Sequence, residues 1–183
     1  YKVIKIGNQT WMQENLRVSH YQNGDKIPNI IENKKWMCSN FGASCDYNND
    51  PKISQEYGKL YNWFAVNDKR KIAPAGWHVP SANDFKELFI FLGMSQDKLK
   101  DLSKYDIYGD STSRQGAKLK ESGHKHWHYR NEKISNETTN SSGFTALPGG
   151  YRTFSFGEFA FIHKHGNYWS SSAKGNNAGY MFL

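Results

Sequence analysis

Long hydrophobic runs are missing from this sequence: the longest, Leu88-Phe89-Ile90-Phe91-Leu92, falls far short of the roughly 20 apolar residues a helix needs to cross a bilayer. No transmembrane segment is expected. Clustered charge of one sign is also scarce. The net charge is +7, yet the densest basic runs are Lys34-Lys35 and Lys69-Arg70-Lys71, and the other cations are scattered among Asn, Ser and Asp. Nucleic-acid binding relies on a concentrated basic face, so the surplus reads as a solvated surface and no nucleic-acid partner is expected. Cysteine is limited to Cys38 and Cys45, both in one Asn/Ser/Gly-rich stretch. Their spacing closes a small loop easily, whereas a zinc site would need two further ligands. A Cys38–Cys45 disulfide is expected in preference to two free thiols, and with it an oxidising compartment.

What is abundant is aromatic. Only 37% of residues are apolar but 15% are Phe, Trp or Tyr, so flat rings carry the core volume and leave surplus for a contact surface. A chain of 183 residues buries about 70% of its unfolded surface and needs neither metal nor disulfide to hold a core. No Pro- or Ser-rich linker divides it, so residues 1–183 are read as one domain. Because the sequence opens on Tyr1 rather than Met, a signal peptide or lipid anchor would lie outside it.

Along the chain, Tyr1–Ile6 and Gln9–Met12 flank Gly7-Asn8 and predict a hairpin. From Arg17 to Asp50 turn formers dominate and predict a long ordered loop pinned by Trp36, Phe41 and Tyr47. Ser54 is placed to cap a helix whose stripe is Tyr57, Leu60, Tyr61, Phe64 and Ala65. Ser81 with Asp84 forms a capping-box pattern ahead of Phe85, Leu88, Phe89 and Leu92, and Gly93 sits at the stop. Shorter helices are expected at 98–102 and 115–121. Beyond these, aromatics separated by Gly, Asn and Ser predict short twisted strands, giving an α+β protein with helices in the middle and strands at both ends.

Candidate chemistry is sparse. His124, His126 and His128 alternate and would share one face of an extended segment, but surface histidines on a solvated hairpin are the commoner case, and no metal or cofactor is expected. Asn48, Asn49 and Asp50 offer oxygen ligands without the spacing of a calcium loop, and a turn starting the next helix is the preferred reading. Ser170, Ser171 and Ser172 lack the frame of a hydrolase nucleophile, so no catalytic residue is assigned. Exposed aromatic faces beside amides suit ligand binding, which singles out His126, Trp127, Tyr129 and Arg130, with Tyr151-Arg152 as a further candidate; a core position is as good a reading for Trp127 and the preferred one for Tyr151.

Five segments, in order, carry a resemblance to a known family: 6–12 with Glu14-Asn15-Leu16, 57–63 (YGKLYNW), 74–81 (PAGWHVPS), 143–152 (GFTALPGGYR) and 168–172 (YWSSS). Together they resemble the Fibrobacter succinogenes major paralogous domain, found in exported proteins of Bacteroidota. The resemblance implies a C-type-lectin-like fold, with a small twisted antiparallel sheet, two main helices and long irregular loops. The 76–81 stretch also looks like an element of formylglycine-generating enzymes, whose chemistry would need cysteines in the C-terminal half that this chain lacks. Family members often carry a cysteine just before the Pro-Ala-Gly-Trp segment, where this chain has Ala73, which leaves Cys38 as the substitute partner for Cys45. They also run on to a final strand with a Ser-Val-Arg-Cys motif, whereas this chain stops at Leu183. Asp110-Ser111-Thr112 resembles an exported-protein O-glycosylation motif, at Ser111. The expectation is thus a non-enzymatic module, secreted or at the cell surface, that binds a protein partner in an outer-membrane assembly; the alternatives are a carbohydrate-binding adhesin or an enzyme of the formylglycine-generating type.

Overall fold

The opening hairpin forms as its sequence dictates: β1 (Val3–Ile6) pairs antiparallel with β2 (Gln9–Met12) around the two-residue turn Gly7-Asn8. Alternation puts Ile6 and Trp11 inward. In this computed structural model the described residues are 1–101, 106–108, 114–128, 138–174 and 177–183. After the hairpin an irregular stretch leads through α1 (Asn33–Met37) to β3 (Ser44–Cys45) and a 3-10 turn. There follow α2 (Pro51–Tyr57), β4 (Leu60–Tyr61), α3 (Trp63–Val66), α4 (Ala82–Phe91), α5 (Gln96–Asp101), β5 (Asp106–Tyr108) and α6 (Arg114–Leu119). The C-terminal part holds β6 (Tyr151–Arg152), β7 (Phe159–Ala160), β8 (Asn167–Lys174) and β9 (Asn177–Phe182).

The class is α+β, but the sheet differs from the expected antiparallel one. Strands β8 and β9 pair antiparallel, while β5 joins β9 in parallel, giving a mixed three-stranded sheet. The other strands form separate two-stranded antiparallel ladders: β1–β2, β3–β4 and β6–β7.

The helix expected to run through Tyr57 to Ala65 does not form as one piece. It begins earlier, with Pro51 in its first turn and the Asp50 side chain accepting from Lys52 N, so the Asn/Asp cluster starts a helix as anticipated. It then ends at Gly58 (φ 77°), where a Cβ would lie 2.5 Å from Asn15 Cβ. Asn15 Nδ2 donates to Tyr57 O, closing the helix end, and Leu60–Tyr61 pairs with Ser44–Cys45 instead. Close approach of a second chain segment overrides the helical periodicity. The α4 reading holds in full: Ser81 Oγ accepts from Asp84 N, the Asp84 carboxylate accepts from Ser81 N, and Phe85, Leu88 and Phe89 are buried.

Three apolar clusters result. The largest joins Ile6, Trp11, Phe85, Leu88, Phe89, Leu119, Trp127, Phe144, Met181 and Leu183. A second is built on Tyr21, Ile27, Tyr61, Ala65, Val66 and Ile72. The third, Trp36, Ala43 and Cys45 with Phe159 against it, anchors the long loop; Trp36 and Tyr47 pin that loop as expected, whereas Phe41 points to solvent.

Above the third cluster lies the buried guanidinium of Arg152. Its Nε donates to Gly157 O (2.8 Å), Nη1 to Ile30 O, and Nη2 to Ile31 O (2.9 Å) and Asn33 Oδ1 (3.0 Å). The rings of Trp36 (4.8 Å) and Phe159 (4.6 Å) cover it. The hairpin carrying Arg152 is admitted by Gly150 (φ 65°), where a Cβ would fall 2.5 Å from Ala160 O and 2.6 Å from Ile162 N. Gly150→Ala is expected to destabilise through both left-handed strain, about 1–2 kcal/mol, and overpacking against backbone, about 1–3 kcal/mol more. Gly24→Ala, with open space around it, should show the strain alone. Equal midpoint shifts for the two variants in urea denaturation would contradict the packing described.

Candidate functional site

The residues singled out from the sequence go to different places. Trp127 is 1% exposed, its indole N–H donating to Ala146 O at 2.9 Å inside the largest cluster. His126 is 4% exposed. Both are corrections: these side chains build the interior, because the segment turns through bends rather than running as an exposed strand. The three histidines accordingly share no face; His124 and His128 are exposed while His126 is buried, and no group of three His, Cys, Asp or Glu among the described residues is placed to hold a metal. Tyr129, Arg130 and Ser111 lie outside the described residues.

The expected disulfide is also corrected. Cys45 lies buried on β3 beside Trp36 and Ala43, Cys38 sits exposed at the end of α1, and both thiols are free. Burial pushes the Cys45 thiol up to about 11, which keeps it protonated and unreactive. The redox argument for an oxidising compartment therefore falls away.

His126 ties helix α2 to the segment after α6. Its Nε2 lies 2.6 Å from Glu56 Oε1 and its Nδ1 2.6 Å from Glu121 Oε2, a geometry completed when both ring nitrogens carry protons, since a carboxylate only accepts. The Tyr57 ring meets the edges of His126 and His163, and its hydroxyl, pushed up to about 12 by burial, sits 3.1 Å from His163 Nδ1. His163 in turn stacks on His128 at 4.3 Å. This is a structural knot with its edge at the surface.

An opening of different character lies along the outer face of the C-terminal sheet. Cross-strand pairing puts Asn167 opposite Phe182 and Trp169 opposite Tyr180, so these four share one face, while Met181 and Leu183 are buried beneath the other. The half-buried outer face is the floor of a cleft of about 1950 Å3. The cleft lining also includes Trp63, the 73–80 turn with Trp77, and Tyr151 and Phe154. Trp169 is fixed by donating to Tyr61 O (2.8 Å) and packs on Trp63 at 5.7 Å and edge-on to Tyr180. Each of the five segments that carry the family resemblance contributes to the lining.

The family's sequence model matches residues 4–183. The chain belongs to the Fibrobacter succinogenes major domain family. No curated protein and no solved structure matches it.

Next to the cleft, the β6–β7 hairpin holds up Phe154 and Phe156, each 67% exposed, with exposed Phe161 stacked on Tyr151 (5.6 Å) and His165 (4.3 Å). Sequence reading missed both the cleft and this ledge. One signal was present: 167–169 and 180–183 carry large apolar residues on both strand faces, which calls for a second covering surface or an exposed aromatic one.

The ion pairs give the protein a definite acid response. A hydrogen bond from His126 lowers Glu56; the Arg70 guanidinium holds Asp68 down at about 2. A carboxyl depressed by folding stabilises above its unfolded value, near 4, and loses that contribution as pH falls through its folded value. The melting temperature should therefore drop between about pH 4 and 2, and less steeply in Glu56→Gln. An identical slope in the variant would mean the His126 tie contributes nothing.

Proposed function

We propose that this chain is a non-enzymatic recognition module, exported to the cell surface, that docks through its aromatic ledge onto a protein partner in an outer-membrane or surface assembly. A C-type-lectin-like scaffold, with long irregular excursions on a small sheet, belongs to the same reading. The observation that carries it is the pair Phe154 and Phe156, each 67% exposed, at the tip of a hairpin fastened from behind. Thr153 N donates to Glu158 O, Gly157 N to Thr153 O, and Glu158 N to Thr153 Oγ1, while Gly157 packs on the backbone of Asn33. The exposed Ile31 precedes that contact by two residues and extends the apolar surface.

Large rings in water are unfavourable, at about 25 cal/mol per Å2 of apolar surface, and a rigid tip has little conformational freedom left to lose on binding. Both features suit a hot spot that enters an apolar pocket of a partner. Support for catalysis is lacking: the Cys45 thiol is buried and protonated, and the buried Ser170 hydroxyl accepts a bond from Ser172 N.

The test is native electrophoresis of protein extracted from the cell envelope of its source. Wild type should migrate in a larger complex, and Phe154→Asp/Phe156→Asp should migrate alone with an unchanged melting temperature. A complex that survives the double substitution would reject the ledge; wild type that migrates alone would reject the assembly role.

A further inference from the structure

We propose that the aromatic cleft is a binding site for a neutral glycan chain, a surface distinct from the docking ledge that it meets at Phe154. The first ground is shape and chemistry. Trp63 and Trp169 tilt at 47° to each other, 5.7 Å apart, and with Trp77, Tyr180 and Phe182 they offer half-buried ring faces to one opening. Rings fixed in this way suit the flat C–H faces of pyranose units. A volume near 1950 Å3 exceeds the roughly 300–1,000 Å3 of a small-molecule pocket and matches several linked sugars better than one.

The second ground is a set of unused donors. The indole N–H groups of Trp11, Trp127 and Trp169 donate to Gln9 Oε1, Ala146 O and Tyr61 O. Those of Trp63 and Trp77, both half-buried in the cleft lining, have no partner among the described residues. A ligand hydroxyl oxygen could accept from both indole N–H groups.

The third ground is charge. Every ionisable side chain among the described residues of the lining is already engaged within the protein or held neutral. Glu14 pairs with Arg17 and the N-terminus, Lys59 with Asp46, and His78 with Asp84. Arg152 is committed to backbone carbonyls and Asn33, and burial lowers His165 so that it favours the neutral form. An anionic ligand would find no free cation among the described residues of the lining, and a purely apolar one would leave the indole donors unmet. A peptide recognised by strand addition would need the open edge of β8, where Ser171 N already donates to Pro80 O. Acceptor-rich, uncharged and ring-shaped describes a neutral glycan.

Affinity electrophoresis of the full chain in gels containing neutral glucans, mannans or xylans tests this, with a polyuronate and a sulfated glycan as charged comparators. At least one neutral polysaccharide should retard the protein, insensitively to salt. Trp77→Ala should weaken retardation by about tenfold, the size of one hydrogen bond or ring contact, at unchanged melting temperature. Trp63→Phe, which keeps a ring and removes the N–H, should fall between. Phe156→Asp, on the ledge but outside the cleft lining, should still be retarded, which separates this site from the docking ledge. Retardation by none of the neutral glycans, by the charged ones alone, or equally in wild type and Trp77→Ala would overturn the proposal, as would competition by neutral peptides but not by oligosaccharides.

Discussion

The burial of one cation holds the recognition surface together. Arg152 brings a permanent positive charge into a site where its described partners are carbonyl and amide oxygens and two aromatic faces rather than a carboxylate. Desolvating a guanidinium is expensive, and the cost is met only if its N–H fork finds acceptors in fixed positions. Ile30, Ile31 and Asn33 supply them from one end of the chain, and Gly157 from the hairpin more than 120 residues away. The same residue thus fixes the long N-terminal loop, roofs the third apolar cluster and sets the angle of the β6–β7 hairpin. A lysine, with a point charge and no planar fork, could not bridge these acceptors.

Both proposed surfaces depend on that placement. The ledge is the tip of the hairpin that Arg152 fastens, and the start of the same hairpin lines the cleft together with the Trp63 and Trp77 segments. Gly150 lets the start of β6 approach Tyr47 and the backbone of β7 at Ala160, and Trp169, pinned to Tyr61 O, ties the cleft floor to the second cluster. Irregular chain is made rigid here by side chains that bond backbone carbonyls, since the ladders themselves are only two strands wide outside the C-terminal sheet.

Local signals were legible where the causes were local. The Gly7-Asn8 hairpin, the Asn/Asp turn that starts a helix and the Ser81–Asp84 box each depend on residues within a few positions and formed as read, although the cap is Asp50 and Ser54 lies inside the helix. The stripe from Tyr57 to Ala65 misled because Gly58 answers to Asn15 and Leu16, distant in sequence. His126 and Trp127 looked like a surface motif because nothing nearby reveals Glu56 or the Ala146 carbonyl as partners. Two cysteines at loop-closing spacing suggested a bond, but β3 turns Cys45 into the core beside Trp36. The cleft was the least legible feature, since its walls come from all parts of the chain.

Hydrogen–deuterium exchange on wild type and Arg152→Lys tests the central claim most directly. If one guanidinium couples the two ends of the chain, amides in 28–45 and in 150–160 should lose protection together while helix α4 keeps its own. Loss confined to one of the two segments, or to neither, would show that the hairpin is held by something else.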